Sequence, residues 1–193
     1  MMRQTLKKPS RGAFVTGARV FLRRPRASDE VAWVALRTRN RRFLERWEPR
    51  STDGIDRFSA AGYRALLKRS RSPNRLVGFV CLRDTRELIG MVTLNEIVRG
   101  AFQSATMGYW IGREYARQGL MTEAVGLILG HAFATLKLHR VEANMIPRNT
   151  PSRRLARASG MRYEGTAKRY LQIAGKWQDH QRWAITLENW RRR

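Results

Sequence analysis

The stretch that decides the fold is SATMGYWIGREYARQGLMTEAVGLILGHAFATLKLHRVEANMI, residues 104–146. Its first part, Ser104–Ile111, is rich in strand-forming residues and predicts a β-strand, with Gly108 as a bulge. Apolar residues then recur at helical spacing from about Thr122 to Leu136, which predicts a helix with one buried face. Arg140–Ile146 predicts another strand. This strand–loop–helix–strand unit is the centre of the predicted structure.

The flanking sequence adds strands and helices on both sides of this unit. Downstream, Thr150 is predicted as the N-cap of a helix with Pro151 at its first position, and Gly160 ends that helix. The predicted order is β-α-α-β-β-β-α-β-α-β-β, a mixed sheet with helices packed on it, of the α/β or α+β class. The remaining elements are predicted at Ala18–Arg24, 28–46, 56–70, Leu76–Arg83, Leu88–Val98, Arg162–Tyr170 and Trp177–Leu187.

The length of 193 residues suits one domain that buries its own core. We expect residues 1–17 to be a basic N-terminal extension, residues 18–188 the single folded domain, and residues 189–193 a basic C-terminal tail. The lone cysteine, Cys81, excludes an intramolecular disulfide and any multi-cysteine metal site. The three histidines lack zinc-hydrolase spacing, so no metal is expected.

Targeting and membrane signals are weak. No apolar run approaches the ~18–20 residues of a membrane helix, and the basic N-terminus lacks the apolar stretch of a secretory signal. A cytoplasmic protein without membrane association is expected, with a transit peptide as the open alternative for the N-terminus. The sequence does not indicate an oligomeric state.

The chain is strongly basic, with 39 Lys+Arg against 15 Asp+Glu and a formal net charge of +24. Such a charge predicts attraction to polyanions, including RNA and phosphorylated cofactors. Compositional bias toward arginine explains the same excess, so both explanations stay open.

The loop before the central helix has the chemistry of a phosphate site. A helix that begins near Thr122 leaves its first N–H groups without intrahelical partners, Gly119 permits close approach, and Arg117 adds a charge. An ordinary strand-to-helix turn accounts for the same residues. Neither a Walker A loop nor a dinucleotide-binding G-x-G-x-x-G motif is present, which removes kinase and dehydrogenase interpretations.

Four segments together resemble a known family. They are GYWIG (108–112), ARQGLMTEA (116–124), HRVEAN (139–144) and RNTPSRRLARASGM (148–161). In this order and spacing, the sequence resembles the GCN5-related N-acetyltransferase superfamily and, within it, the Rim-type ribosomal-protein alanine N-acetyltransferases. Trp47-Glu48-Pro49, residues 98–102 and Asp179-His180 are further points of similarity. The resemblance extends over about Arg19 to Leu187.

The resemblance implies a fold and a co-substrate. The fold is a strongly bent mixed sheet in which Ser104–Ile111 and Arg140–Ile146 are central parallel strands that splay apart, with flanking helices. Acetyl-CoA enters the gap, its pantetheine arm on one strand and its pyrophosphate on the loop. The family motif Gln/Arg-x-x-Gly-x-Gly/Ala is matched only at Gly119, because Ala116 and Met121 stand at its ends. The implied acetyl-CoA-binding residues are Tyr109, Trp110, Ile111, Arg117, Gln118, Gly119, Leu120, Met121, Thr122, Asn149, Ser152 and Arg153.

The resemblance also suggests catalytic residues. Ser152 matches the position of a general acid that protonates the leaving thiolate, and Asn149 matches an asparagine that bonds the thioester region. Both residue types also favour helix N-termini for capping alone. In relatives of another branch a glutamate stands where this chain has Arg169, so that role does not transfer.

The general base is less defined. Glu96, late in its strand, is a weak base candidate, and a structural ion pair is the competing interpretation. Glu142 and Glu164 are expected to be structural, and His180 either packs or contacts the acceptor. Several other side chains are assigned to the cofactor's phosphates or to an acceptor groove, with surface and core roles as the alternatives: Arg153, Arg154, Arg157, Trp47, Phe102, Tyr170 and Trp177.

Three functions are consistent with these observations. The first is acetyl transfer, by direct attack in a ternary complex, to the N-terminal α-amino group of a ribosomal protein. An α-amine has a pKa of ~8 and is partly neutral without a dedicated base, unlike lysine at ~10.4. The second is acetylation of a small-molecule amine such as an antibiotic or polyamine. The third is a catalytically idle domain that binds RNA or ribosomes.

Overall fold

The computed structural model describes residues 12–49 and 53–192. Within them, eight strands form one sheet in the order β1-β2-β3-β4-β5-β6-β8-β7, flanked by six α-helices and three short 3-10 turns. The strands are β1 (Ala13–Thr16), β2 (Val20–Arg23), β3 (Leu76–Leu82), β4 (Leu88–Val98), β5 (Ser104–Ile111), β6 (Arg140–Met145), β7 (Arg162–Ile173) and β8 (Lys176–Thr186). The helices are α1 (Glu30–Arg39), α2 (Arg41–Leu44), α3 (Ala60–Arg69), α4 (Leu120–Ala134), α5 (Thr150–Ala158) and α6 (Leu187–Arg191).

The sheet separates two apolar cores. On one face α4 packs its buried side chains, among them Val125 and Ile128, against alternate residues of β4, β5 and β6. On the other face α1 and α3 cover β2 and β3, where Trp33 and Tyr63 are buried. Because successive strand residues point to opposite faces, Tyr109 packs on the α4 core and Trp110 on the α1 core.

The two central strands diverge. β5 and β6 are parallel and pair only at Ser104↔Arg140, Ala105↔Val141 and Thr106↔Glu142. Beyond Thr106, β5 stays paired with β4 as far as Ile111, while β6 stays paired with β8. A gap therefore opens in the middle of the sheet. The mixed fold class is confirmed by these elements and their order.

The first and last elements extend the fold beyond its predicted limits. β1 lies inside the segment 1–17 that the sequence analysis set apart as a basic extension, and it pairs antiparallel with β2. Most of that segment, residues 1–11, lies outside the described residues. At the other end, Trp190 of the expected tail 189–193 lies in α6, with its ring centroid 5.8 Å from that of Phe133. Burial against α4 thus orders residues whose composition alone indicates a tail.

The helix predicted at 56–70 begins at Ala60, with Ser59 as its N-cap. Other local predictions were also wrong. The irregularity between β4 and β5 lies between Asn95 and Val98, and Gly108 pairs regularly with Thr93. Helix α4 begins at Leu120, two residues before the predicted Thr122, because Gly119 acts as its N-cap. The N-cap of α5 is Asn149, whose side chain accepts a hydrogen bond from the Ser152 N–H, so Thr150 is already helical.

Candidate active site

The gap between β5 and β6 exposes one edge of β5. From Met107 to Ile111 the strand pairs with β4 on one side and has no strand partner on the other. Backbone donors and acceptors on such an edge are available to an extended ligand. The side chains beside it are Tyr109 on the α4 face and Trp110 on the α1 face, so Tyr109, Trp110 and Ile111 offer the gap their backbone edge.

The loop that precedes α4 converges on the same gap. Arg117 and Gly119 both have left-handed backbone conformations, with φ of 63° and 76°, and alternation of such residues turns successive N–H groups toward one side. Left-handed backbone is unfavourable for arginine by about 1–2 kcal/mol, which marks the loop as a constrained site. The first N–H groups of α4 are free of intrahelical partners, so the loop, which we call the cradle, has the backbone chemistry to hold an anion.

Side chains of this loop fall into two groups. Leu120 and Met121 are buried in the α4 core, so only their backbone N–H groups are available to a ligand. Arg117, Gln118 and Thr122 are exposed. The Gln118 side chain donates to the Glu114 carbonyl at 2.8 Å and stabilises the loop. Among these exposed groups, Arg117 supplies the positive charge beside the cradle.

Arg19, which directly precedes β2, holds the cradle in place through hydrogen bonds. The Arg19 N–H donates to Glu123 Oε1 at 2.8 Å, and its guanidinium Nη1 donates to the Gln118 carbonyl at 2.9 Å. A Cβ at Gly119 would lie 3.0 Å from Arg19 Nη2. The sequence analysis missed Arg19, because 104 residues separate it from Glu123 and no local pattern relates them.

Ser152 and Asn149 lie on the α5 side of the gap. Asn149 Oδ1 accepts from the Ser152 N–H at 3.3 Å and caps α5. The Ser152 hydroxyl lies 2.7 Å from the Tyr109 hydroxyl, so the two side chains bridge β5 and α5. Burial raises the pKa of Tyr109 to about 12, although its hydrogen bond with Ser152 opposes this shift. Tyr109 is therefore neutral at physiological pH, and either hydroxyl can donate the hydrogen bond that joins Tyr109 and Ser152.

Glu96 lies at the bulge of β4 on the face opposite α4. Its backbone is left-handed, with φ of 51°, and its side chain is exposed, accepting a hydrogen bond from Thr106 Oγ1 at 3.2 Å. Glu96 borders an open cavity of about 680 Å³. The cavity is lined by Arg69, Ser72, Asn74, Arg75, Asn95, Glu96, Thr106, Asn144, Tyr170 and Leu171.

Other carboxylates belong to ion pairs. Glu142 accepts hydrogen bonds from Arg140 at 2.9 Å and from Arg182 at 3.0 Å. Burial raises the pKa of Glu142, but these arginines outweigh it and leave the pKa below its usual value. Glu164 pairs with Arg140, whose guanidinium holds the pKa of Glu164 low. The structure thus gives both glutamates the ion-pair contacts expected of structural residues.

The remaining predicted residues are dispersed. His180 is buried, with Nδ1 2.9 Å from the Gln178 carbonyl. Arg153 donates through Nη1 to the Pro147 carbonyl at 3.0 Å, so its guanidinium is drawn toward the loop that precedes α5. Arg154 and Arg157 are exposed. Of the four aromatic residues predicted for an acceptor groove, Phe102, Tyr170 and Trp177 are exposed and Trp47 is half-buried. Among these four, only Tyr170 lines the cavity.

A buried ion pair behind Trp110 was not predicted. The Arg37 guanidinium donates to both carboxylate oxygens of Glu48, at 2.5 and 2.6 Å, and the Arg37 side chain is 3% exposed. It also lies over the rings of Phe58 at 4.1 Å and Trp110 at 5.0 Å. The pair connects α1 with β5 and with the segment that precedes residue 50.

No helix in residues 12–49 and 53–192 has the length and apolar character needed to cross a bilayer. No cluster of three His, Cys, Asp or Glu side chains in the described chain is arranged to hold a metal ion.

Comparison with known proteins gives the family. Residues 19–162 match the acetyltransferase (GNAT) domain. The probable N-acetyltransferase YjcK of Bacillus subtilis is 35% identical over 174 residues, which cover 88% of this chain and 94% of that protein. The ribosomal protein uS5-alanine N-acetyltransferase of Escherichia coli is 33% identical over 168 residues, 84% of this chain and 86% of that protein.

A solved structure agrees with this assignment. Mycobacterium smegmatis RimJ in complex with CoA-disulfide superposes with a TM-score of 0.82 at 35% identity, covering 88% of this chain and 82% of that one. A sheet opened between two parallel strands, with an anion cradle at the next helix, defines an acyl-CoA-dependent transferase. The chain belongs to the GNAT family of acetyltransferases. It is an N-acetyltransferase, and acetyl-CoA is its co-substrate.

Proposed function

We propose that the protein acetylates the α-amino group at the N-terminus of a ribosomal protein. The observation that carries this proposal is the chemistry of the cavity beside Glu96, which has one carboxylate and two arginines among its lining residues. Polyamines and aminoglycoside-type antibiotics carry several positive charges and need a cluster of carboxylates, whereas one carboxylate suits a single amine. The uS5-specific relative supports a ribosomal acceptor.

The proposal assigns the two sides of the gap to the two substrates. Acetyl-CoA, which supplies the activated acetyl group as a thioester, fits the free edge of β5 and the cradle at residues 117–122. The Asn149 and Ser152 side chains face it from α5, and Arg153 stands on the same turn. The acceptor amine approaches from the face of Glu96. Direct transfer between these sides needs no covalent enzyme intermediate.

Ser152 is proposed as the general acid, with Tyr109 as its proton relay. Ser152→Ala is expected to lower kcat by about 100-fold, the lower end of the effect of a positioned acid, while acetyl-CoA affinity changes little. Steady-state kinetics and acetyl-CoA binding measure the two quantities. Thr150→Ala, an exposed hydroxyl on the same turn, is the matched control. Unchanged kcat in Ser152→Ala would remove the residue from the mechanism.

Glu96 is proposed as the base that accepts the amine proton, directly or through water. Glu96→Gln is expected to lower kcat/KM by about 100-fold at pH 7. The loss should shrink toward pH 9, where an amine with a pKa of ~8 is neutral without help. Glu164→Gln, which removes a carboxylate of the β7 ion pair, serves as the control. A loss that is the same at both pH values would show that Glu96 has a structural role.

The positive charge is proposed to bring the enzyme to RNA-rich ribosomes in the cytoplasm. With a net charge of +24, co-sedimentation with ribosomes should be strong at low salt and fall steeply as salt rises, because binding to phosphates releases counterions. Sedimentation of the purified enzyme with ribosomes over a salt series measures this. Free enzyme at low salt would show that the charge does not serve ribosome association.

The acceptor is tested by incubating ribosomal proteins with the enzyme and isotopically labelled acetyl-CoA, followed by mass spectrometry of every labelled peptide. Label on an N-terminal α-amine of one or a few proteins is the expected result. Label on lysine side chains would contradict the proposal, as would acetylation of spermidine or aminoglycosides in preference to any protein. No label on any acceptor would favour a catalytically idle binding domain.

A further inference from the structure

A group of arginines lies on the wall of the acceptor cavity away from the gap. Arg69, at the end of α3, and Arg75, just before β3, both line the cavity. Arg57 lies close to Arg75, and repulsion from Arg69 and Arg57 adds to burial in lowering the pKa of Arg75. We call Arg57, Arg69 and Arg75 the arginine cluster.

The positive charge of the arginine cluster is only partly balanced by carboxylates of the described residues. Within the described residues, Arg57 and Arg75 form no ion pair, and Arg69 has Asp53 at 3.9 Å. The Nε atoms of Arg57 and Arg75 are buried and have no hydrogen-bond partner in the same residues. A buried guanidinium N–H without an acceptor is unfavourable, and so is the repulsion between neighbouring arginines. An anionic ligand in the cavity beside Arg69 and Arg75 would relieve the repulsion.

The cluster has a defined position relative to the gap. Leu76 pairs with Leu94, which sets Arg75 beside Asn95, and Asn95 pairs with Thr106 on β5. The Ile97 N–H also donates to the Asn74 carbonyl at 2.9 Å, which ties the Arg75 segment to the bulge at Glu96. Arg75 is thus two strands from β5, or about 10 Å at a strand spacing of about 4.8 Å.

The distance of about 10 Å between Arg75 and β5 corresponds to a particular residue position along an extended acceptor peptide. An extended peptide rises about 3.4 Å per residue. If its α-amine reaches the gap beside Glu96, its third or fourth residue lies over Arg75, in a cavity that Tyr170 and Leu171 also line. A guanidinium binds a carboxylate through paired hydrogen bonds, which no neutral side chain matches.

We propose that the arginine cluster is a carboxylate subsite, which selects acceptor proteins with Asp or Glu as the third or fourth residue. This inference rests on the proposed N-terminal acceptor and specifies its sequence. Recognition of a remote charge mainly strengthens binding of the ground state, so the preference should appear in KM more than in kcat.

The test uses two peptides that begin with alanine and differ only in Glu or Gln at the third position. We expect kcat/KM with wild-type enzyme to be about 10-fold higher for the Glu peptide, mainly through KM. In Arg75→Gln and Arg69→Gln the ratio of the two kcat/KM values should fall toward 1. Arg64→Gln, an exposed arginine of α3 whose partner is Glu30, is the matched control and should keep the ratio.

The outcomes separate this inference from the proposed function. Equal kcat/KM values for the two peptides in wild-type enzyme would overturn the subsite and leave N-terminal acetylation established. Acetylation of neither peptide, with transfer to another amine, would overturn both. A short RNA that inhibits competitively against the peptide, and does so only when Arg75 is present, would assign the cluster to nucleic acid and contradict the inference. Unfolding of Arg75→Gln is detected by thermal denaturation, and Arg69→Gln then decides the question.

Discussion

Gly119→Val is expected to abolish binding of acetyl-CoA. Gly119 is the N-cap of α4 with φ of 76°, and a β-branched residue is strongly disfavoured in this left-handed conformation. A valine Cβ would also lie 3.0 Å from Arg19 Nη2, so the Arg19 guanidinium, which donates to the Gln118 carbonyl, would have to shift slightly. Both effects move the N–H groups that the pyrophosphate needs, so the loss should exceed 100-fold in affinity.

Thermal denaturation with and without acetyl-CoA measures this loss. A ligand at 100 times its Kd stabilises the folded state by ~2.7 kcal/mol, so wild-type enzyme should show a clear increase in Tm. Gly119→Val should show almost none at the same concentration. Gly100→Val is the matched control, because Gly100 has φ of 67° and open space around its Cβ position. A full increase in Tm for Gly119→Val would contradict the assignment of the cradle.

The second large effect concerns the Arg37–Glu48 pair. Glu48→Gln removes the charge that compensates a guanidinium whose side chain is 3% exposed, and breaking one side of a buried pair is unfavourable by about 3–5 kcal/mol. Glu48 is partly exposed, so we expect the lower end, about 3 kcal/mol. The rings of Phe58 and Trp110 keep the guanidinium from moving to solvent.

Urea denaturation of the wild-type protein and of Glu48→Gln measures the difference between their free energies of unfolding. The control is Glu30→Gln, which breaks the ion pair of Glu30 with Arg64, whose side chains are 34% and 63% exposed. Exposed pairs contribute only about 0–1 kcal/mol. If Glu48→Gln and Glu30→Gln lower the free energy of unfolding equally, the pair is not the support of β5 that its burial indicates.

Local patterns were enough to predict the main elements of the fold. The apolar period of α4 and the alternation in β5 depend on neighbouring residues alone, so Ser104–Ile111 was predicted with its observed limits. β1 was missed because its four residues, Ala13–Thr16, are too few to show a pattern of their own and were grouped with the basic segment that precedes them. The bulge at Glu96 was missed because a left-handed glutamate has no signal in sequence.

Much of the site depends on contacts between distant segments. Gly119 and Arg117 were proposed as cofactor-binding residues because their loop is continuous in sequence and its pattern is local. The Tyr109–Ser152 contact was not, since 43 residues separate the two hydroxyls and only the divergence of β5 from β6 brings α5 beside Tyr109. Arg37 was not distinguished from the other arginines of the chain, and its burial follows from the rings of Trp33 on its own helix and of Phe58 and Trp110 on two other segments. The arginine cluster was concealed in the same way by the high arginine content of the chain.

Transfer to an α-amine is the central claim, and one assay tests it most directly. Two peptides that differ only in their amines are offered with labelled acetyl-CoA. One has a free N-terminal alanine and glutamine in place of its lysine. The other has a blocked N-terminus and a free lysine. We predict label only on the peptide with the free α-amine, at a rate that depends on Ser152. Label only on the lysine peptide would contradict the claim.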